Sequence, residues 1–460
     1  VMGITLCGLA CGYFLGGRIS TKKNPEKKLM YVLIAAGIFM MVMPLLSRFM
    51  NYFAFHLSLL PAVSVSSLFV LFPPLFFMGM VSPLVIHCLI SEKKGGGKRS
   101  GEVYAVSTAG GILFTFLTGF WLLPSFGISN PLLFLGAILI LIPLIYLVKF
   151  KNTLQAFILF AFTGLVFYTH IKNLQKKEYV LFESEGILGK VEVVDFERKN
   201  PATGKNEHPR YLLVNNIIQS SIDMNDRNFF QDYTGAIDSN ITENGKGKKV
   251  LVLGLGGGIV AGIFNRKGYE VKTVELDERI YKTARDYFFL EKDIQVIIDD
   301  ARHYVNIMTE KFDYIMIDVF RGEDPPYYVL TKESITKMKN SLTENGIIIV
   351  NTYGYLNSVT GKGNRALIKT FRDCSMNVEI SGTGPTEETR NLLLYATSIK
   401  TINKTDSLSS KKITGLIKEA FSLDDVAVLT DKNCPLDFLN AEAGVHWRHL
   451  YIKNFILARQ

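Results

Sequence analysis

Three acidic residues in the C-terminal half of the chain, Glu275, Asp300 and Asp318, each lie at the end of a short apolar run. A carboxylate in such a place can accept hydrogen bonds from ribose hydroxyls, or it can take a proton from an attacking nucleophile. One acid after a strand is usually only a helix cap. Three of them indicate a nucleoside site, because ligands of parallel sheets bind at the carboxyl ends of the strands.

A glycine-rich turn precedes these acids. The apolar run 250–253 leads into Gly254, Gly256 and Gly258, a G-x-G-x-G pattern, and a helix is expected to follow. The run is typical of a buried parallel strand, and the glycines let the backbone pass close to a bound cofactor. Glu275 follows about twenty residues later, the spacing at which nucleotide-binding folds hold a ribose. A turn that serves only packing is the alternative interpretation.

The elements that would position these acids alternate between strand and helix. This alternation predicts an α/β Rossmann-like domain with a parallel sheet over residues 225–400. Four further elements are expected to follow. They are a helix at 332–342, a strand at 346–350, and a hairpin of strands near 377–380 and 391–397 that closes the sheet.

A small antiparallel β domain is expected before the Rossmann-like domain, at 179–224. Residues 189–194 and 210–214 alternate between apolar and polar side chains, which is typical of half-buried strands. The polar stretch between them contains Pro201 and Gly204 and is expected to form a hairpin loop.

The end of the chain, residues 401–460, predicts a helical extension. Residues 403–432 are typical of a basic helix and a connecting segment, and the tail contains Trp447 and is expected to cap the domain. We assign no chemistry to this extension.

The first 170 residues predict a bundle of transmembrane helices. A span needs about 20 apolar residues. The apolar runs lie at 2–17, 29–47, 58–90, 103–124, 130–148 and 153–169. The third run is long enough to contain a break at Pro73 and Pro74. The chain opens inside an apolar run, which leaves room for a helix upstream, and the number of spans is left open.

The basic charge of the chain belongs to this N-terminal part. Residues 1–177 hold fifteen Lys or Arg and three acids, a net charge of +12, so the remainder carries −3 of the total of +9. We therefore expect no nucleic-acid partner. Within the apolar runs no charged residue stands clear of an end, which weakens the case for an ion-coupled transporter. The five cysteines show no metal-ligand spacing, so no metal is expected.

Several of these residues together resemble the spermidine synthase (aminopropyltransferase) family, which has an S-adenosylmethionine-dependent, class I methyltransferase-like fold. They are the run 249–258, Glu275, Asp300 with Ala301, and Asp318. Other segments look more particularly like the membrane-fused bacterial branch of this family: they are residues 318–331, Val428 to Asp431 with Pro435, the glycines at 8, 12, 16 and 17 with Arg18, and residues 104–111. The resemblance implies a transmembrane bundle, a small β lid and a Rossmann-like catalytic domain.

The resemblance also implies a donor site. The donor would be decarboxylated S-adenosylmethionine, or intact S-adenosylmethionine, used as a co-substrate. Glu275 would hold the ribose hydroxyls, and Asp300 with Ala301 would hold the adenine edge. The residues assigned to the donor are Gly254, Gly256, Gly258, Glu275, Asp300, Ala301 and Gln219, the last from an imperfect match to a D-G-x-x-Q pattern.

For the acceptor, an amine such as putrescine, the resemblance implies that Asp318 is the general base. Tyr233 matches a tyrosine that lines the amine pocket, and a core aromatic is the alternative. Arg321 stands where many soluble members have an Asp that binds the polycation, and Glu323 is expected to substitute for it. The partners expected are the amine and the lipid bilayer, with a homodimer left open.

Two other functions stay open, and one departure from the family supports the first of them. Gly257 stands where the family commonly has an Asp that repels the carboxylate of intact S-adenosylmethionine. Its absence favours, as an alternative, a methyltransferase that uses the intact donor. A transport or binding protein with a nucleoside-sensing domain is the third hypothesis.

The catalytic domain of this multi-pass chain is expected on the cytoplasmic side of the cell membrane, because the donor is a cytosolic metabolite and the soluble half has no disulfide framework. The basic loops 18–28 and 93–99 would share that side. An even number of crossings must separate the second loop from residue 178 if both lie on the same side. Three apolar runs lie between them, so one of the three is not a simple span. The last run, 153–168, is short and flanked by lysines, and we expect it to lie along the cytoplasmic interface.

Overall fold

The computed structural model describes residues 1–57, 59–91, 96–174, 179–199, 204–242, 245–319, 326–398, 415–417 and 421–451. The chain divides into two compact units, Val1–Lys177 with Glu185–Leu188, and Glu178–Ser184 with Gly189–Gln460.

The first unit is helical. Its helices are α1 (Met2–Ser20), α2 (Pro25–His56), α3 (Leu59–Val70), α4 (Phe72–Ser91), α5 (Gly96–Leu117), α6 (Leu123–Phe126), α7 (Ser129–Lys149) and α8 (Thr153–Leu174), with a π-helical turn at Thr118–Leu122. Within the described residues, six stretches are long and apolar enough to cross a membrane: Met2–Ser20, Pro25–Leu46, Phe72–Ile90, Gly96–Phe126, Ser129–Lys149 and Thr153–Lys172. In the third apolar run the helix is interrupted at Leu71, between α3 and α4, two residues before the break predicted at Pro73 and Pro74.

Glycines bring two pairs of these helices into close contact. A Cβ on Gly12 of α1 would overlap the carbonyl oxygen of Phe76 on α4. On α2, a Cβ on Gly37 would lie 2.7 Å from the carbonyl oxygen of Gly136 on α7. Small residues allow helix backbones to approach this closely, and van der Waals packing then holds helices together where lipid surrounds them.

The structure corrects the expectation for the last apolar run. Helix α8 extends to Leu174 and pairs with α7 in an antiparallel hairpin: Phe167 packs on Phe134 near the start of α7. Buried Leu147 at the other end of α7 shares a cluster with Ala156. Polar residues near the end of α8 made the apolar run look shorter than the helix, which is longer than predicted and long enough to cross a membrane.

The second unit begins with a small sheet. Its strands are β1 (Val180–Gly186), β2 (Gly189–Asp195), β3 (Arg198–Lys199), β4 (Asn206–Glu207), β5 (Pro209–Val214) and β6 (Ile217–Asp223). The sheet order is β1-β2-β5-β6, and β3 with β4 forms a separate ribbon. β5 pairs antiparallel with both β2 and β6. The predicted small antiparallel sheet is therefore confirmed.

A larger sheet follows helix α9 (Asp232–Asn240). Its elements are β7 (Lys249–Leu253), α10 (Ile259–Arg266), β8 (Glu270–Glu275), α11 (Glu278–Tyr287), β9 (Gln295–Ile298), α12 (Ala301–Ile307), β10 (Phe312–Ile317), α13 (Lys332–Asn340), β11 (Leu342–Tyr353), α14 (Lys362–Asp373), β12 (Asn377–Gly382) and β13 (Asn391–Thr397). The strand order is β12-β13-β11-β10-β7-β8-β9. β7 to β11 are parallel, and β13 pairs antiparallel with β11 and β12. This is the predicted methyltransferase-type Rossmann-like fold.

The central strands are buried on both faces. Val250 and Val252 of β7 point into one hydrophobic cluster, and Leu251 and Leu253 point into the other. Because both faces are covered, the strand is apolar at every position instead of alternating, which explains the continuous run in the sequence.

The C-terminal part contains α15 (Leu436–Leu439) and α16 (Ala441–Tyr451). Trp447 of α16 packs beside Tyr353 with ring centroids 6.4 Å apart. Most of the predicted basic helix, 403–414 and 418–420, lies outside the described residues, and residues 421–432 contain no helix.

Candidate functional site

The parallel ladder brings the three predicted acids to one edge of the sheet. The Asp318 N–H donates to the carbonyl of Leu253 at 2.9 Å, which continues the pairing of β10 with β7 beyond the strand end. The Asp299 N–H likewise donates to the carbonyl of Glu275 at 3.0 Å. Neighbouring strands therefore end side by side, which brings their acids to the same edge of the sheet, where ligands of parallel sheets bind.

The glycine turn lies at the same edge of the sheet. Gly254 has a φ of 91°, and a Cβ there would overlap the backbone carbonyl of Asp318. Gly256 and Gly258 have φ values of 53° and 79°, in the left-handed region that glycine adopts without strain. Gly258 is also the residue at which α10 begins. At Gly254, therefore, both the backbone conformation and the close approach of β10 require glycine.

Asp318 is held by two side-chain donors. Asn351 Nδ2 donates to Oδ1 at 2.9 Å, and the Tyr233 hydroxyl donates to Oδ2 at 3.0 Å. Burial raises the pKa of Asp318 above its ordinary value, and the hydrogen bonds from Asn351 and Tyr233 oppose this rise. The result is a carboxylate of fixed orientation with a stronger affinity for a proton than an exposed Asp has.

Tyr233 lies on the first turn of α9, facing Asp318. Burial, and then the charge of Asp318, raise the pKa of Tyr233 well above its ordinary value. The phenol therefore stays protonated and acts as a hydrogen-bond donor to the carboxylate. Tyr233 thus contacts the candidate site and is more than a core aromatic.

We expect Tyr233→Phe to shift the acid limb of the pH–rate profile to higher pH. The hydroxyl lowers the pKa of Asp318, so its removal raises that pKa, and ionisation of Asp318 then requires a higher pH. The rate at the optimum should fall by about threefold to tenfold, the effect of one hydrogen bond. Tyr395→Phe is the control, because it removes a buried hydroxyl that bonds Asn240. An unchanged acid limb in Tyr233→Phe would contradict the assignment of this limb to the ionisation of Asp318.

Glu275 links the end of β8 to the glycine turn. Its Oε2 accepts from the Leu255 N–H at 3.0 Å, and its Oε1 accepts from the Asp277 N–H at 2.9 Å. Burial raises the pKa of Glu275, and the hydrogen bonds from backbone N–H groups oppose that rise. The backbone N–H groups of Leu255, Asp277 and Leu276 all contribute to this effect, so the carboxylate is held in a fixed orientation at the end of β8.

Asp300 caps α12, and Ala301 is the buried first residue of that helix. Asp300 Oδ1 accepts from the Arg302 N–H at 2.8 Å, and Oδ2 accepts from the Tyr328 hydroxyl at 3.0 Å. The carboxylate therefore has a structural capping role, as any Asp in this position would. It also lies at the same sheet edge as Glu275.

Gln219 lies on β6, which runs beside the glycine turn. Ser220, the next residue, accepts a hydrogen bond from the Gly257 N–H at 2.7 Å through its Oγ. A Cβ on Gly257 would lie 2.9 Å from the Ser220 Cβ and 3.0 Å from a ring carbon of Phe288. An Asp at 257 would therefore collide with both residues. Glu323, the other predicted acceptor residue, lies outside the described residues.

Sequence reasoning missed three residues of the site. Asn351 and Ser220 are polar and buried, and each contacts a site element directly. The third is Arg279, which bonds Asp277 through both carboxylate oxygens and donates to the carbonyls of Ser184 and Gly189 in the small sheet. The signal available for Asn351 was a single polar side chain near the end of an apolar strand.

The fold is that of a Rossmann-like domain of the methyltransferase type, with the predicted acids and the glycine turn at one edge of its sheet. Residues 237–360 match the family described as "Spermine/spermidine synthase domain". This part of the chain is therefore similar to that family, and the predicted resemblance is confirmed.

Individual proteins are similar to parts of this chain. The polyamine aminopropyltransferase of Vibrio vulnificus is 28% identical over 140 residues, which are 28% of this chain and 46% of that protein. The N-terminal histidine N-methyltransferase of Emericella nidulans is 29% identical over 157 residues, 33% of this chain and 28% of that protein. The chain thus spans less than half the length of these curated relatives. A probable spermidine synthase from Corynebacterium glutamicum covers 49% of this chain and 83% of its own, at 18% identity and a TM-score of 0.40.

Proposed function

We propose that the chain is a membrane-anchored aminopropyltransferase. It transfers an aminopropyl group from decarboxylated S-adenosylmethionine to a small amine such as putrescine, with Asp318 as the general base. The observation that carries this proposal is the half-buried Asp318 carboxylate, held by Asn351 and Tyr233 beside the glycine turn of the matched domain.

The amine nitrogen attacks the aminopropyl carbon bonded to the sulfonium sulfur. The new C–N bond forms as the C–S bond breaks, and the sulfur takes the bonding pair and leaves as neutral 5′-methylthioadenosine. The attacking nitrogen loses one proton, which Asp318 accepts. A protonated amine of this kind has a pKa of about 10, so most of the acceptor carries the extra proton at neutral pH. Only the form that is unprotonated at the attacking nitrogen can react. General-base assistance contributes about 10²–10⁴ in rate, and positioning of the two reactants adds to it.

The remaining predicted residues form the binding site in this proposal. Glu275 holds the ribose hydroxyls, Asp300 with Ala301 holds the adenine edge, and the glycine turn passes beside the donor. Gln219 belongs to the donor side, and Tyr233 lies on the side of the acceptor, since it contacts the general base. The two hydrogen bonds that fix the Glu275 carboxylate support its assignment, because they orient the carboxylate before the donor binds.

Transfer to putrescine tests this function directly. The full chain, purified in detergent, is incubated with decarboxylated S-adenosylmethionine and putrescine, and the amines are separated and identified by mass. We expect a product lengthened by one aminopropyl group that forms only when both substrates are present. A chain that binds the donor but yields no lengthened amine with any of a series of diamines would contradict the proposal.

A methyltransferase is the second candidate, and Gly257 favours it. The Gly257 N–H already bonds the Ser220 hydroxyl, and no acidic side chain stands at this position to repel the carboxylate of intact S-adenosylmethionine. The similarity to a histidine N-methyltransferase points the same way. A methylated acceptor formed from the intact donor would establish this candidate in place of the first.

We further propose that the catalytic unit faces the cytoplasm. Six simple crossings would place residue 179 and the basic loop near residue 93 on opposite sides, because three spans lie between them. Since α7 and α8 pair as a hairpin, the segment that does not cross would be Gly96–Phe126. This segment has no buried residue among those described, and its first turns contain Lys98, Arg99 and Glu102.

Labelling of single cysteines checks this orientation. In a background without native cysteines, we expect cysteine at Lys205, in the small β domain, to be protected from an impermeant thiol reagent in intact cells. Cysteine at Lys22, between α1 and α2, is the matched control and should show the same protection. After lysis, both should be labelled. Labelling at 205 from outside intact cells, with 22 protected, would place the catalytic unit on the other side.

A further inference from the structure

A segment near the C-terminus lies over the connection that follows β10. Leu429 and Leu436 are buried in one of the two hydrophobic clusters of the large sheet. The backbone carbonyl of Leu429 accepts from the N–H of Lys332, the first residue of α13, at 2.8 Å. Residues 426–436, here named the C-terminal strap, are therefore packed against the large sheet at the start of α13.

Asp431 makes the polar contacts of the strap. Its Oδ2 accepts from Arg302 Nη2 at 2.7 Å, and its Oδ1 accepts from the Thr331 hydroxyl at 2.6 Å. The Asp431 N–H donates to Glu333 at 2.9 Å. One carboxylate thus fixes two side chains that belong to different elements, α12 and the N-terminus of α13.

Those two side chains connect Asp431 to the predicted adenine site. Arg302 Nη1 donates to Thr331 Oγ1 at 3.1 Å and to the carbonyl of Tyr328 at 3.3 Å. Tyr328 in turn donates its hydroxyl to Asp300 Oδ2. The backbone N–H of Arg302 donates to Asp300 Oδ1. Asp300 Oδ2 is therefore held by Tyr328, whose carbonyl bonds the Arg302 side chain that Asp431 fixes, while Oδ1 is held by the backbone at the start of α12.

We propose that Asp431 is a positioning residue for the donor site: through Arg302 and Thr331 it holds Tyr328 against Asp300. This inference rests on the proposed function, because that proposal assigns Asp300 to the adenine edge. Asp431 itself touches neither donor nor acceptor. Its loss frees Arg302 and the turn that carries Tyr328, so the Asp300 carboxylate loses the fixed orientation that adenine binding needs.

The chain offers a matched control in the neighbouring pair of Asp425 and Arg365. Arg365 bonds Asp425 at 2.5 Å and 3.2 Å, and the two aspartates are almost equally exposed, 43% for Asp425 and 44% for Asp431. Arg365 donates to the carbonyls of Leu356 and Ser358, which follow β11, and within the described part of the chain none of these bonds reaches Asp300. Asp425→Asn therefore removes a similar ion pair without the connection to the adenine edge.

The experiment compares Asp431→Asn with Asp425→Asn in the full chain. Binding of 5′-methylthioadenosine is measured by calorimetry, transfer by kcat and donor KM, and stability by thermal unfolding. We expect Asp431→Asn to weaken nucleoside binding and raise donor KM by about threefold to tenfold, the effect of one or two hydrogen bonds, with kcat at saturating donor within about twofold. Asp425→Asn should lower the melting temperature similarly and leave nucleoside binding unchanged.

Tyr328→Phe is a second variant, because it removes only the hydroxyl at the far end of the connection. We expect it to weaken nucleoside binding as well, and the double variant with Asp431→Asn to lose less than the two single losses combined. Equal nucleoside affinity in Asp431→Asn and wild type, or the same loss in Asp425→Asn, would overturn the inference. So would a wild type that does not bind the nucleoside. Nucleoside binding without transfer would instead remove the proposed function and leave Asp431 as a positioning residue of a nucleoside site.

Discussion

Replacement of Asp318 by Asn is expected to lower kcat by about 10²–10⁴, the contribution of a general base, while donor affinity stays within about twofold. Asn keeps the shape of the side chain but cannot accept the proton that the amine loses. Because burial raises the pKa of Asp318 in the folded state, the charged form at neutral pH opposes folding. The stability that protonated Asp318 contributes is lost as the pH rises through its folded-state pKa. Asp318→Asn should therefore unfold at the same or a higher temperature at pH 7.

Asp313 provides the control, because it lies near the amino end of the same strand and also accepts two hydrogen bonds. The Lys249 N–H donates to it at 2.8 Å, and the Thr343 hydroxyl donates at 3.1 Å. We expect Asp313→Asn to lose stability and to keep its kcat. Turnover within a few fold of wild type in Asp318→Asn would remove Asp318 from the mechanism.

Glu275→Ala is expected to weaken donor binding by about 2–4 kcal/mol, the cost of losing a pair of hydrogen bonds to a charged group. This corresponds to a rise in Kd of about thirtyfold to several hundredfold. The substitution removes the predicted acceptor of the ribose hydroxyls. It also leaves the Leu255 and Asp277 N–H groups without the acceptor that now orders the glycine turn. Calorimetric titration with the donor measures the change.

Glu270→Ala is the matched control, since Glu270 begins the strand that Glu275 ends and its side chain is 68% exposed. Its ion pair with Lys249 lies on the surface, where such a pair contributes little to stability. Donor affinity should be unchanged in this variant. An unaltered dissociation constant in Glu275→Ala would move the ribose site elsewhere in the crevice.

The strand-end acids were predictable from the sequence because a parallel sheet imposes their convergence. Once the runs before Glu275, Asp300 and Asp318 are recognised as parallel strands, their carboxyl ends must meet at one edge. The glycine turn was predictable for a related reason, since Gly254 occupies a left-handed conformation against the backbone of β10. These features follow from local sequence and the geometry of one sheet.

The partners of the acids were not predictable, because they come from distant parts of the chain. Asn351 reaches Asp318 across 33 residues, and Asp431 reaches Arg302 across 129. Nothing in the local pattern around Asn351 distinguishes a residue that holds a carboxylate from one that ends a strand. The length of helix α8 was underestimated for a different reason: its pairing with α7 continues beyond the apolar run, through a hydrogen bond between His170 and Asn130. Contacts that join separate elements require the folded structure.

The nucleoside released by the chain tests the central claim most directly. Equal amounts of intact and decarboxylated S-adenosylmethionine are offered together with putrescine, and the nucleoside products of wild type and Asp318→Asn are identified by mass. We predict 5′-methylthioadenosine from the wild type, formed only when putrescine is present, and almost none from the variant. Release of S-adenosylhomocysteine as the main product would contradict aminopropyl transfer and establish methyl transfer at this site.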